Sequence, residues 1–172
     1  NNNDQKDNKN KTFDTSLVGE ASVDPENFDE TEEGTPIDAD QLNGEQGKSN
    51  GIDVSKWQGK IDWNQVKKSQ IDFVFIRIGY RGENGIIYKD DNADYNIQQA
   101  TKAGLLVGVY FYSTALNQKE AIEEAKWTLQ CIDGYSISYP VVYDCEGYKN
   151  SSSRTYQLSS KERTENALAF LD

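Results

Sequence analysis

From Gly51 onward, short apolar segments alternate with amphipathic ones, and this alternation constrains the fold more than any other feature of the sequence. Segments rich in β-branched and aromatic residues predict strands, and the mixed segments between them predict helices. The strand segments are GIDVSKW, IDFVFIRIGY, LLVGVYFYST and YPVVYDCEG. The second and third are almost continuously apolar, which is typical of strands covered on both faces of a sheet. The order βαβαβαβα therefore predicts an α/β fold with a parallel sheet.

Residues with known helix-end preferences stand where the predicted helices begin and end. Asp62 is a predicted N-cap, and Ser159 or Ser160 is expected to begin the fourth helix. Gly104 and Gly134 are predicted to follow the ends of the second and third helices.

The length of the folded part leaves two architectures open. Four β/α units occupy residues 51–172, whereas a closed eight-stranded barrel needs roughly 200 residues or more. A four-stranded doubly wound sheet would fit this length. Because the sequence ends within the amphipathic segment ALAFLD, we expect instead a (β/α) barrel of the TIM type, incomplete in this chain, with about four units.

The first fifty residues differ in composition from the remainder. Residues 1–50 carry 13 acidic and 4 basic residues, so most of the net charge of −11 lies there. They are polar, contain few aromatic residues and show no sustained period, which predicts a disordered linker. An acidic binding tail is the alternative. We therefore expect two parts, a linker over 1–50 and a folded domain over 51–172.

Composition also excludes several kinds of chemistry. The sequence contains no His, so an imidazole base, a Ser–His triad and a His-built zinc site are impossible. We expect no metal and no cofactor. No basic patch suited to nucleic acid is present, and no segment is apolar and long enough to span a membrane. Cys131 and Cys145 are predicted at opposite ends of a β/α unit, too far apart for a disulfide bond.

Two carboxylates end the fourth predicted strand, where like charges are electrostatically costly. Side chains at i and i+2 of a strand share a face, so Asp144 and Glu146 should stand side by side. A carboxylate pair in which one member holds a proton is the usual apparatus for cleaving a glycosidic bond. The alternative is a solvated Asp-x-Glu sequence without catalytic meaning.

Further polar and aromatic residues are predicted near the same strand ends, where sites form in parallel α/β proteins. Asp53 lies in the first strand, Arg77 in the second, and Tyr110 and Tyr112 share a face of the third. Carboxylates and aromatic rings are what a sugar-binding cleft uses. The alternatives are a backbone-bonded Asp53, an internal ion pair for Arg77, and core packing for the tyrosines and for Trp57.

The segments GIDVSKWQGKIDW, FVFIRIGYRG, AGLLVGVYFYS, EAKWTL and PVVYDCEG, in that order, resemble glycoside hydrolase family 25, the lysozymes or N-acetylmuramidases. The resemblance covers essentially 51–172 and none of 1–50. It implies a modified (β/α) barrel and hydrolysis of the β-1,4 bond between N-acetylmuramic acid and N-acetylglucosamine in peptidoglycan. It departs from the family at Phe111, where His is frequent.

By the same resemblance, Glu146 is the general acid and Asp144 orients the 2-acetamido group of the substrate in a retaining, substrate-assisted reaction. Asp53 is implied to be the acidic site residue of the first strand. Tyr110, Tyr112, Asp94, Arg77 and Trp57 are expected to contact substrate.

The implied partner is a peptidoglycan glycan strand. The protein is expected to act as a monomer outside the cell or in the cell wall, without contact with nucleic acid or membrane. A catalytically silent glycan-binding module is the principal alternative, although such a module has no need of both carboxylates. A chitinase-like hydrolase with the same Asp-x-Glu logic is another, and the GIDVSKWQG opening argues against it.

Overall fold

The computed structural model describes residues 49–172. Apart from its last two residues, the predicted linker over 1–50 lies outside the described residues. Within them, strands and helices alternate as predicted, and one additional short strand is present.

Five strands form one sheet. Four are parallel, in the order β1-β2-β4-β5, and β3 pairs antiparallel with the end of β2. The strands are β1 (Gly51–Val54), β2 (Phe73–Arg81), β3 (Ile87–Lys89), β4 (Leu106–Ser113) and β5 (Val142–Cys145). The parallel strands follow one another in chain order without a reversal. Right-handed crossovers in such an order place every connecting helix on the same side of the sheet.

Four α-helices connect or follow the strands: α1 (Trp63–Lys68), α2 (Ala93–Lys102), α3 (Gln118–Ile132) and α4 (Ser160–Leu171). Asp62 caps α1 by accepting hydrogen bonds from the amides of Asn64 and Gln65, as predicted. Ser159 caps α4 and forms a capping box with Glu162.

Two glycines stand just beyond helix ends, as their sequence positions predict. Gly104 follows α2 with a φ of 79°, and Gly134 follows α3 with a φ of 84°. Both lie in the left-handed region that glycine adopts without a steric penalty, and a helix commonly ends there.

The core lies between the sheet and the helices. Alternate strand residues pointing toward the helices are at most 4% exposed, and they are Val54, Val74, Ile76, Ile78, Val107, Val109 and Phe111. Their opposite-facing neighbours form what we call the open face of the sheet. Leu106 and Val142 on that face are 51% and 41% exposed.

The expectation that β2 and β4 are covered on both faces is therefore not met within residues 49–172. Helices cover one face of these strands, and the other carries partly exposed aromatic residues. Phe73, Phe75 and Tyr139 form a cluster there with ring centroids 5.4–6.1 Å apart. A continuous apolar run thus reflects an aliphatic helix-facing side and an aromatic open side.

The strand β3 departs from simple β/α alternation. Gly82 to Gly85 form the turn of a hairpin, with the amide of Gly82 donating to the carbonyl of Ile86 at 2.9 Å. Gly85 has a φ of 81°, and the preceding Asn84 accepts a hydrogen bond from the Ile86 amide. Asn-Gly is a strong hairpin signal, and here it folds the chain back onto the end of β2.

Both cysteines are free thiols, which confirms that prediction. No helix within residues 49–172 combines the length and apolar character needed to cross a membrane.

Candidate active site

A cleft of about 500 Å³ opens on the open face of the sheet, at the carboxyl ends of the strands. Strand register explains why separated residues meet there. Arg77 pairs with Tyr110, and Tyr112 pairs with Asp144, so these four side chains share one face. The residues lining the cleft are Asp53, Phe75, Tyr110, Val142, Tyr143, Asp144, Cys145 and Glu146.

The two carboxylates at the end of β5 both line this cleft, as the period of two predicts. Asp144 is the third residue of β5 and is partly buried, whereas Glu146 follows the strand and is exposed. Burial raises the pKa of Asp144 to about 6, and the negative charges of Glu146 and Asp53 add to the shift while Arg77 opposes it. The carboxyl group of the pair whose pKa is raised is therefore that of Asp144, whereas the resemblance implies Glu146 as the general acid.

Arg77 reaches the cleft side of β2 but is not free. Its guanidinium holds Asp90, with Nε and Nη2 at 2.9 and 2.7 Å from Oδ2. The Asp90 side chain is fully buried and also accepts hydrogen bonds from the backbone amides of Lys56 and Asn92, both at 3.0 Å. Asp90 therefore ties together the loop after β1, the loop before α2 and the arginine of the cleft.

Asp90 is not among the predicted site residues, whereas nearby Asp94 is. Asp94 is not brought to the cleft wall. It pairs with Lys89 at 2.7 Å and accepts a hydrogen bond from the Tyr135 hydroxyl at 2.9 Å. The motif DDNAD contains three carboxylates, and the sequence does not show that Asp90 is the one that is buried and paired with Arg77.

Of the two predicted tyrosines, Tyr110 lines the cleft, and Tyr112 lies outside the lining but on the same face of the sheet, paired with Asp144. Burial raises the pKa of both phenols, and neighbouring carboxylates raise them further. For Tyr110 these are led by Asp53, and for Tyr112 by Glu146. Both hydroxyls therefore remain protonated at neutral pH, as hydrogen-bond donors toward a polar ligand.

Trp57 lies apart from the cleft lining, in a single 3₁₀ turn (Lys56–Gln58) directly after β1. Ser55 and Gln58 fix this turn by a capping box. The indole is 77% exposed, with the ammonium of Lys56 5.6 Å from the ring centroid. Core packing, the alternative for Trp57, is excluded by this exposure.

The loop after Glu146 is held by buried hydroxyls. Thr155 is fully buried and donates to the backbone carbonyl of Glu146 at 3.3 Å, and its hydroxyl lies 2.9 Å from that of Ser153. Gly147 has a φ of 77°, and a Cβ atom there would lie 2.9 Å from Ser153 Oγ. Arg154 anchors the same loop to Glu120 of α3 at 3.0 Å.

A buried charged network supports the strand ends from the helix side. Arg81 pairs with Glu124 of α3 at 2.6 Å, and both side chains are almost completely buried. Ser113 donates to the other oxygen of Glu124 at 2.6 Å and lies 3.0 Å from the Tyr143 hydroxyl. Because Tyr143 precedes Asp144, this network fixes the strand that carries the acidic pair.

Comparison with known proteins identifies the family. Residues 52–172 match the family model described as glycosyl hydrolases family 25. The chain belongs to this family. Among similar proteins, Lysozyme M1 of Streptomyces globisporus is 32% identical over 115 residues, covering 65% of this chain and 37% of the relative. The autolytic lysozyme of Clostridium acetobutylicum is 31% identical over 96 residues, covering 56% of this chain and 28% of the relative.

Solved structures show the same fold. The modular autolysin LytC of Streptococcus pneumoniae, solved with a synthetic peptidoglycan ligand, matches with a TM-score of 0.61 and 26% identity, over 70% of this chain and 28% of that one. The bacterial lysozyme of Streptomyces coelicolor matches with a TM-score of 0.54 and 27% identity, over 73% and 57%. The shared fold is an α/β fold with a curled parallel sheet. The chain spans about a third of the length of the curated relatives it matches.

Proposed function

We propose that the protein is a muramidase that hydrolyses the β-1,4 bond between N-acetylmuramic acid and N-acetylglucosamine in peptidoglycan. The observation that carries the proposal is the acidic pair, Asp144 and Glu146, both lining one cleft at the end of a parallel strand. Membership of glycosyl hydrolases family 25 and the lysozyme names of the relatives support it.

In this proposal Glu146 is the general acid. Its carboxyl proton passes to the glycosidic oxygen while the bond from that oxygen to the anomeric carbon breaks. The carbonyl oxygen of the substrate's own 2-acetamido group attacks the anomeric carbon from the other face. Water then opens the cyclic intermediate and returns a proton to Glu146, so the configuration is retained.

Asp144 is proposed to orient the acetamido group. With a pKa of about 6 its carboxylate is mostly ionised at neutral pH, so it accepts a hydrogen bond from the acetamido N–H. Asp53 adds a second negative charge to the cleft beside Asp144, and Tyr110 and Tyr112 offer hydroxyl groups as hydrogen-bond donors. Arg77, held by Asp90, offers a cation that faces the same cleft.

The remaining structural expectations are proposals of the same kind. Residues 51–172 are proposed to form the first part of the catalytic domain, with the parallel strands as the first strands of a TIM-like (β/α) barrel. Leu106 and Val142 are apolar and partly exposed on the open face, which supports the proposal that further strands of the barrel cover that face. Residues 1–50 are proposed to be a linker, and the protein to act as a monomer outside the cell or in the wall.

The test is the release of reducing ends from purified peptidoglycan and from chitin by the full-length protein. A muramidase releases them from peptidoglycan alone. Release from chitin at a comparable rate supports a chitinase-like enzyme, and binding without release supports a glycan-binding module.

A further inference from the structure

A β-bulge in β2 turns Tyr80, which is not one of the site residues described above, toward the cleft side of the sheet. Arg77 pairs with Tyr110, but Gly79 pairs with the next residue, Phe111, so that Ile78 is the extra residue. Both Ile78 and Gly79 are buried. A Cβ atom on Gly79 would lie 2.5 Å from the ring of Trp127 on α3, which places Gly79 on the helix side.

Because two consecutive residues, Ile78 and Gly79, both face the helices, Tyr80 points to the open face as Arg77 does. Without the bulge, strict alternation would turn Tyr80 toward the helices. Bulges of this kind commonly re-aim side chains beside active sites.

Tyr80 belongs to a row of side chains that crosses the sheet at one level. It pairs in register with Tyr88 of β3 on one side and with Tyr112 of β4 on the other, and Tyr112 pairs with Asp144. We call Tyr88, Tyr80 and Tyr112 the tyrosine row. Neighbouring strands lie about 4.8 Å apart, so Tyr88 is about 14 Å from Asp144 across three strand spacings.

The far end of the tyrosine row has the features of a carbohydrate platform. The rings of Tyr80 and Tyr88 stack with centroids 5.4 Å apart and an interplanar angle of 26°, and Tyr88 is 38% exposed. Polar groups flank the rings. The Asn84 side-chain amide donates to the Tyr88 hydroxyl at 2.7 Å, and the Lys56 ammonium lies 5.5 Å from the Tyr80 ring centroid.

The chemistry of these groups favours a sugar. A pyranose ring offers a flat C–H face to an aromatic ring, and its hydroxyl and acetamido groups suit amide and hydroxyl partners. Residues 51–172 carry 16 acidic and 14 basic residues, so no excess of positive charge favours nucleic acid, the other ligand that stacks on aromatic rings. A stacked cross-strand pair also stabilises a hairpin, and the test has to separate the two roles.

We propose that Tyr80 and Tyr88 form a binding platform for the substrate strand, engaging N-acetylhexosamine units away from the bond that is cleaved. The choice of a peptidoglycan strand as ligand rests on the proposed function. At about 14 Å from Asp144, Tyr88 is too far to touch the reacting sugar. The platform therefore makes affinity depend on the length of the strand.

The test uses the full-length protein, with Glu146→Gln in every protein compared so that the strands are not cleaved, and uncross-linked peptidoglycan strands fractionated by length, with binding measured by calorimetry. Tyr88→Val keeps a strong strand former in the hairpin but removes the ring. It is expected to weaken binding of long strands about threefold to tenfold, the range of a single aromatic contact, and to weaken binding of a disaccharide much less. Tyr88→Phe, the matched control, keeps the ring and is expected to bind long strands as the wild type does.

Equal affinity of Tyr88→Val and wild type for long strands would overturn the proposal, as would equal losses on long and short strands. A second readout does not depend on the variant folding. In the Glu146→Gln protein with Tyr88 intact, long strands should shift the NMR signals of the Tyr88 ring, and unshifted signals at saturation would also overturn the proposal.

These outcomes separate the platform from the muramidase proposal because they measure binding and not cleavage. Tyr88-dependent binding without release of reducing ends would contradict the muramidase and keep the platform. Release of reducing ends by a protein whose Tyr88→Val variant binds unchanged would contradict only the platform.

Discussion

Replacing Asp144 by Asn is expected to make the protein more stable at neutral pH. The carboxyl group has a pKa of about 6 in the folded protein, against about 3.9 in an unfolded chain. The folded state therefore holds this proton more tightly than the unfolded state. The associated stability is present below pH 4, is lost as the pH rises toward 6, and stays lost above it.

The difference of about two pKa units corresponds to about 3 kcal/mol at 1.36 kcal/mol per unit. The cleft is open to solvent, which screens the charges, so we reduce this to about 1–2 kcal/mol. Asparagine has nearly the same shape and cannot ionise. Within residues 49–172 the Asp144 carboxylate makes no side-chain hydrogen bond that the substitution would remove.

The assay is thermal unfolding of wild type and Asp144→Asn between pH 4 and pH 7.5. At pH 7.5 the variant should melt about 3–6 °C higher, and at pH 4 the two should coincide. Asp53→Asn is the comparison, because it removes one charge that raises the pKa of Asp144 but leaves the buried carboxyl group, so its gain in melting temperature at pH 7.5 should be smaller. A variant that melts at or below the wild-type temperature at pH 7.5 would refute the claim that the ionised Asp144 carboxylate destabilises the folded protein.

Two further substitutions test the proposed acid and the loop behind it. Glu146→Gln should lower wall lysis about 10²–10⁴-fold while melting as the wild type does, and a variant within threefold of wild type would remove Glu146 from the role. Thr155→Val leaves the Glu146 carbonyl without its buried donor and should lower kcat about tenfold with KM within twofold, because the loop no longer holds the acid in place. Thr155→Ser keeps the hydroxyl and should restore most of the loss; equal losses in both variants would point to packing alone.

Much of the fold could be predicted because it depends on local chemistry. Asp62 and Ser159 cap helices, and Gly104 follows one, since each satisfies a backbone requirement that is visible within a few residues. The shared face of Asp144 and Glu146 follows from the period of two in the same way.

The features that were missed depend on contacts between distant segments. Tyr80 faces the cleft only because Ile78 is an extra, bulged residue, and the one sign of this bulge in the sequence is Gly79 within an otherwise apolar run. Asp90 and Asp94 are equivalent in sequence until Arg77 approaches one of them. The raised pKa of Asp144 likewise depends on burial in the folded cleft, which spacing alone does not reveal.

The most direct test of the central claim is the identity of the new reducing end in digested peptidoglycan. Products released by the full-length protein are reduced with borohydride and analysed by mass spectrometry. Every new end is expected to carry reduced N-acetylmuramic acid, and these products should be lost with Glu146→Gln. Reduced N-acetylglucosamine at the new ends, or digestion undiminished in the variant, would contradict it.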